Sequence, residues 1–344
     1  MAKTGIVTDT LCVEHDMGRL HPETPKRLQV LLDLVNSKDV TRLSVEMIPG
    51  RPAVQEEITR VHEEAYFRRV MGSQGRTVVM DIDTTAGPMS FEAAMMAAGC
   101  AITATESVVA GRVKNAFALI RPPGHHAEPG RSAGFCLFNN MAVAVRHAVQ
   151  TLDVKRIAVV DFDLHHGNGT QKVFYQDKEI LYVSTHQFPF YPGTGAAEEV
   201  GEGDGVGTTI NIPLAAGHGD HEYEAIYGGL IPRILEQFKP ELIMVSAGYD
   251  IAAQDPLGFM EVSAQGMGRI TTYLRAAADR ICDGKIVLIL EGGYSLSALR
   301  DGVLASIKGL VGKGKGPAKG KLDDLHIGDA RRHLSTYRQF FKLK

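Results

Sequence analysis

Short runs of β-branched and other apolar residues, each ending at a polar residue or glycine, alternate with longer helical patterns through most of this chain. The clearest are Ala116–Ile120, Arg156–Asp161, Ile180–Ser184, Thr208–Ile212, Leu242–Ala247 and Ile286–Leu290. Such alternation predicts βαβ units. The runs RIAVV and KIVLIL are apolar at nearly every position, as strands covered on both faces must be. The expectation is an α/β fold with one central parallel sheet. Between the strands, Ser90 followed by FEAAMMAAGCAITATESVVA reads as an N-capped helix closed by Gly111. Met141–Gln150, Glu222–Phe238 and Ala264–Ile281 read as further helices.

A chain of 344 residues with 44% hydrophobic and 22% charged residues can bury a substantial core, which excludes disordered and collagen-like classes. Its net charge of -3 supplies no global attraction for nucleic acid, so none is expected as a partner. The start MAKTGIVTDT has no signal-like apolar run and no stretch reaches membrane-spanning length, so a cytoplasmic protein with no membrane association is expected. Cys12, Cys100, Cys136 and Cys282 stand far apart without a CxxC pair. That argues against a disulfide framework and against a thiolate zinc site, leaving nitrogen and oxygen as metal ligands. GKGKGPAKGK at 312–321 reads as a solvated basic linker between a main domain, 1–311, and a C-terminal segment, 322–344, that packs on it.

In open parallel sheets, functional side chains gather beyond the carboxyl ends of the strands. Here those ends run into RPPGHHAEPGRSAGFCLFNN, DFDLHHGNGT, GYDIAAQDPLG and EGGYS. Within DFDLHHGNGT, Asp163 and His165 are two positions apart, so extended backbone points both to one side, where they can share a metal. Asp250, at another strand end, can be a third ligand, leaving a position for water as catalytic zinc sites do. The adjacent His125 and His126 enter one site only if their loop curls, which the preceding prolines and Gly124 permit. Beside a metal they read as acid–base machinery. Asp161 and Asn168, one charged and one neutral, are natural partners that would give the two imidazoles different basicities. Tyr294, after two glycines, is placed to donate to a developing oxyanion.

Together RPPGHH, DFDLHHGNGT, YPGTG, SAGYD with DPLG, and LEGGY resemble the histone deacetylase family, including its bacterial deacetylases and acetylpolyamine amidohydrolases, from HPETPKR at 21–27 to Tyr294. The resemblance implies the arginase–deacetylase fold, a single parallel sheet of about eight strands flanked by helices on both faces. It implies one Zn2+ per chain on Asp163, His165 and Asp250, with His126 as general base and then acid, and His125 as its electrostatic companion held by Asp161. Asn168 stands where the family has Asp or Asn, and Tyr294 matches the carbonyl-polarising tyrosine. Phe135 and Tyr191 match the aromatic walls of an acyl-lysine channel, with Gly134, Gly292 and Leu257 beside them, Arg27 deeper in and Asp83 at the rim holding substrate backbone.

The resemblance also implies bound K+. An inner site would use Asp161, Asp163, His165, Ser184 and Thr185, and an outer one backbone oxygens near Phe174, Asp177, Ile180 and Thr208. The implied substrate is an acylated lysine in a peptide or protein. An acetylated polyamine is the alternative, for which the polyamine-selective branch carries glutamate at the place of Leu257. A binuclear manganese hydrolase needs a further carboxylate where Gly167 stands, and a non-catalytic binding module would have lost Tyr294, His126 or a ligand. Neither sign is met. Ferrous iron remains open beside zinc, as does the oligomeric state.

Overall fold

The computed structural model describes residues 3–314 and 333–343. Its strands, in chain order, are β1 (Thr4–Thr8), β2 (Val45–Pro49), β3 (Val78–Asp81), β4 (Thr84–Ala86), β5 (Asn115–Ala118), β6 (Ile157–Asp161), β7 (Ile180–Gln187), β8 (Thr209–Leu214), β9 (Leu242–Ala247) and β10 (Ile286–Leu290). Eight pair in parallel in the order β2-β1-β5-β10-β9-β6-β7-β8. Every residue of β5 through β10 is buried, which requires helices over both faces. β3 and β4 form a separate antiparallel hairpin.

The order of the sheet positions the site. β5, β10, β9 and β6 are consecutive neighbours in its middle. Their registers bring Ala118 beside Ile289, and Asp161 beside Ser246. Whatever follows these four strands therefore meets at one end of the sheet.

Several expected elements shift. β1, β2 and the β3–β4 hairpin were not expected from the sequence; β2, an edge strand, is only partly covered. Ser90 is not a cap. Met89 takes the cap position and Ser90 is the first helical residue, because its buried hydroxyl is committed to His15 Nδ1 at 2.7 Å and to the Gly87 N–H at 2.7 Å. Gly111 does close that helix, at φ +71°. The run Glu222–Phe238 is not one helix: Asp220–Ala225 and Ile231–Phe238 flank a π-turn at Ile226–Leu230. Pro232 has no N–H to give, and the wider turn lets the Ile231 N–H reach the Ile226 carbonyl instead.

Of the basic stretch 312–321, residues from 315 onward lie outside the described residues, as does the start of the C-terminal segment. In the described part, 333–343, Leu334, Tyr337, Phe341 and Leu343 are buried. The Tyr337 phenol donates to the Asn211 carbonyl of β8 at 2.6 Å. Among the described residues no helix is long and apolar enough to cross a membrane.

Candidate active site

The loop after β5 does curl. The Ala127 N–H closes a turn on the Gly124 carbonyl at 3.0 Å, and the His125 and His126 rings stand 4.0 Å apart between centroids. The turn rests on buried Glu291, which sequence reasoning missed. Its Oε2 accepts from the Gly124 and His125 N–H groups at 2.7 and 3.2 Å, and its Oε1 accepts from the Ser246 hydroxyl at 3.1 Å. Burial pushes this carboxyl up to about 7. Its position directly before two glycines at a strand end was the available signal.

After β6, the side chains of Asp163 and His165 do point to one side and meet Asp250 from the end of β9. His165 Nδ1 lies 3.2 Å from Asp163 Oδ1 and 3.1 Å from Asp250 Oδ2, and a ligand atom from each of the three falls within 4.8 Å of the others. All three are buried. Burial and the Asp163 charge push Asp250 up to about 7. Two desolvated carboxylates facing one imidazole are the environment that a bound cation compensates. Oxygen and nitrogen donors of this kind suit a divalent metal such as zinc. The remaining oxygens are tethered by backbone: Asp163 Oδ2 accepts from the Gly292 N–H at 2.8 Å and Asp250 Oδ1 from the Leu164 N–H at 3.0 Å. A Cβ on Gly292 would sit 2.3 Å from Asp250 Oδ2, so only glycine fits between these carboxylates.

The two histidines have different partners. His125 Nδ1 lies 3.0 Å from Asp161 Oδ2, which also accepts from the Tyr182 phenol at 3.1 Å. Burial opposes the charged imidazole of His125, but Asp163 and then Asp161 outweigh it and raise it to about 10. His126 Nδ1 instead meets the neutral Asn168 Oδ1 at 2.8 Å. Burial, followed by the charges of His125 and His165, holds His126 well below the usual histidine range.

A cleft of about 240 Å³ leads to these groups, lined by Asp83, His126, Gly134, Phe135, His165, Phe190, Tyr191, Leu257 and Tyr294. Phe135 stands edge-on to Tyr294 at 5.8 Å and Tyr191 edge-on to His126 at 5.1 Å. Phe190, overlooked beside Tyr191 in the sequence, stacks on His165 at 5.8 Å. Gly134, at φ +54°, lets the wall approach His126, since a Cβ there would lie 2.2 Å from the ring. Asp83 lines the same cleft, and its Oδ1 is engaged within the chain, accepting from the Gly134 N–H at 3.1 Å and the Thr84 hydroxyl at 2.7 Å.

Tyr294 is held from two sides. Its N–H donates to Asp255 Oδ2 at 2.6 Å, and the Arg27 guanidinium lies 4.8 Å from the centre of its ring. Burial keeps the phenol protonated, far above its usual range, although Arg27 opposes the shift. Arg27 donates to the carbonyls of Gly293 and Glu291, each at 2.6 Å, and pairs with buried Glu23, which also binds Arg121. Burial alone would raise Glu23, but Arg121 prevails and holds it at about 2.

Of the residues expected around monovalent cations, the inner group, Phe174 and Ile180 are buried and Asp177 and Thr208 are half-buried, with several of their polar atoms already committed. Ser184 faces Asp161 across the β6–β7 ladder and its hydroxyl meets His186 Nδ1 at 2.9 Å, while the Thr185 hydroxyl meets that of Tyr227 at 2.8 Å. In the outer group the Phe174 carbonyl accepts from the Asp177 N–H at 2.9 Å, and the Asp177 carbonyl accepts from the Ile180 N–H at 3.4 Å and the Thr208 hydroxyl at 3.2 Å.

The sequence profile of the histone deacetylase domain matches residues 21–310. The chain belongs to the histone deacetylase family. It is 39% identical over 311 residues to a "probable deacetylase" of Archaeoglobus fulgidus, covering 89% of this chain and 86% of that protein. It is 40% identical over 295 residues to the "histone deacetylase-like amidohydrolase" of Pseudomonas aeruginosa, covering 85% of this chain and 76% of that protein. The crystal structure of the HDA15 HD domain superposes with a TM-score of 0.88 at 36% identity, covering 98% of this chain and 96% of that one. The eight-stranded parallel sheet of this family member is thus that of the arginase–deacetylase fold.

Proposed function

We propose that this histone deacetylase family member is a zinc-dependent amidohydrolase that removes acetyl or related acyl groups from lysine side chains of peptides or proteins. The observation that carries the reading is the convergence of Asp163, His165 and Asp250 at the foot of a cleft whose walls include His126, Tyr294 and aromatic rings. Bound by those three side chains, zinc would supply a Lewis acid for the acyl carbonyl and lower the pKa of a water. His126, neutral at pH 7, takes a proton from the attacking water and delivers it to the departing lysine nitrogen. The protonated phenol of Tyr294 donates to the oxygen on which negative charge develops. His125, paired through Nδ1 with Asp161 Oδ2 at 3.0 Å, is the electrostatic companion of His126 beside that charge. Phe135 and Tyr191 enclose the methylene stem of the lysine, and Leu257 offers an apolar contact at the mouth. K+ is assigned to the buried group around Asp161, Asp163, His165, Ser184 and Thr185, with a second ion near Phe174, Asp177, Ile180 and Thr208.

Purified protein assayed against acyl-lysine peptides and acetylated polyamines, with metal analysis in parallel, tests this reading. About one equivalent of zinc or iron, lost in Asp250→Ala together with peptide deacetylation, is the expected result. Two equivalents of manganese, or a preference above tenfold for acetylated polyamines, would overturn the metal or the substrate assignment respectively.

A further inference from the structure

The curled loop that carries His125 and His126 continues into Glu128, an acid for which the mechanism above has no use. It is 7% exposed although charged. Its Oε1 accepts from Asn168 Nδ2 at 3.0 Å and its Oε2 from Lys172 Nζ at 2.7 Å, and Arg131 also binds Oε1. Burial would favour its neutral form, but hydrogen bonds from Arg131 and Lys172 outweigh burial and hold the carboxyl at about 2. At neutral pH it is therefore only an acceptor.

A side-chain amide has a donor end and an acceptor end, and a carboxylate accepts only the donor end. With Glu128 in place, Asn168 must turn Nδ2 toward it and Oδ1 toward His126 Nδ1, which lies 2.8 Å away. That nitrogen must then carry the hydrogen, and a neutral imidazole protonated at Nδ1 has its lone pair on Nε2. With the amide reversed, Nδ2 would face His126 Nδ1 and favour the opposite tautomer, which has no lone pair on Nε2. Asn168 cannot make this choice alone. It also borders a cleft of about 440 Å³ lined by Glu128, Gln171 and Lys172, and solvent entering there would serve either end of the amide.

We propose that Glu128 is a positioning residue: it orients the Asn168 amide and thereby fixes His126 in the tautomer that can accept a proton at Nε2. This rests on the reading of His126 as general base. Its test therefore includes a measurement that needs no turnover, the 15N spectrum of the His126 ring in the metal-loaded protein.

Wild type should show protonated Nδ1 and unprotonated Nε2, and Glu128→Ala should average or reverse them while kcat falls by about tenfold or more with KM within about twofold. Glu128→Gln keeps a carbonyl oxygen for Asn168 Nδ2 but weakens the ion pairs, so it should retain the wild-type tautomer and most of the activity. Asn168→Asp presents an acceptor whichever way it turns and sets two carboxylates against each other. In that background Glu128→Gln should raise kcat rather than lower it. A purely structural role predicts loss in both backgrounds. The proposal is overturned if Glu128→Ala keeps the wild-type tautomer, or if Glu128→Gln lowers kcat equally with Asn or Asp at 168. Should Glu128→Ala fail to fold, the Glu128→Gln pair decides. An inactive wild type with an ordered His126 tautomer that Glu128→Ala disturbs would sink the general-base reading and leave the positioning intact.

Discussion

At the scale of single residues, the phenol of Tyr294 separates chemistry from stability. It is kept protonated by burial and held in place through its own N–H on Asp255. Removing only the oxygen leaves ring, backbone bond and Arg27 contact intact. Tyr294→Phe should therefore lower kcat about a hundredfold or more, with Tm and metal content near wild type; turnover within a few-fold of wild type would remove the phenol from the mechanism. Leu257 bears on substrate choice. A carboxylate placed at this half-open mouth would attract the inner ammonium of a polyamine by about 1 kcal/mol after solvent screening. Leu257→Glu should thus shift the ratio of kcat/KM values toward acetylspermidine by roughly tenfold or less, measured by competition between the two substrate classes. The cluster of Asp163, His165 and Asp250 beside both adjacent histidines and Tyr294 was legible because these residue types stand at strand ends and at fixed spacing. The roles of Glu128, Glu291 and Asp255 were not: each stands within a legible motif, but an acid that serves by accepting backbone or amide hydrogens shows that role only once its partners are placed.

Among elements, the buried strands were legible because a strand covered on both faces is apolar at nearly every position: β10 is so throughout, β6 up to Asp161 and β9 at all but Ser246. The edge strand β2 and the β3–β4 hairpin lack that mark, being partly exposed, and the π-turn depends on where Pro232 falls within a helix. The loop from 121 to 140 is anchored by a residue outside it. His62 Nδ1 donates to the Glu128 carbonyl at 3.0 Å and its Nε2 accepts from the Asn139 N–H at 2.9 Å. The ring has no room for a second proton, and burial lowers it from 6.5 to about 4. Because the folded value lies below the unfolded one, this group's contribution is fully present above about pH 6.5 and is lost as pH falls toward 4. The shift corresponds to roughly 3 kcal/mol. Urea midpoints measured between pH 7 and 4 should fall along that window in wild type. In His62→Gln, less stable at pH 7, the slope should be visibly shallower; an unchanged slope would assign it to other groups.

Over the whole molecule, β8 leaves one side of the sheet unpaired, and an open edge invites pairing with other chains. Residues 333–343 lie against it, with the Tyr337 phenol on the Asn211 carbonyl and Leu334, Phe341 and Leu343 buried nearby. Ending the chain at residue 332 should lower Tm by roughly 5 °C and bring concentration-dependent aggregation, read by light scattering. A truncated protein as stable and as monodisperse as the full chain would deny the segment this role. The central placement of β5, β10, β9 and β6 also has a consequence in time. His165 and Asp250 are 85 residues apart, so at ordinary rates of synthesis the nascent chain holds only part of the proposed ligand set for roughly 4 to 17 s. During that interval Asp163 and His165 form at most a weak, two-handed grip on any metal. Under the proposed metal assignment, ion selection is thereby deferred until β9 has paired with β6, when the choice is made by a finished cage rather than by whichever cation the emerging chain meets first.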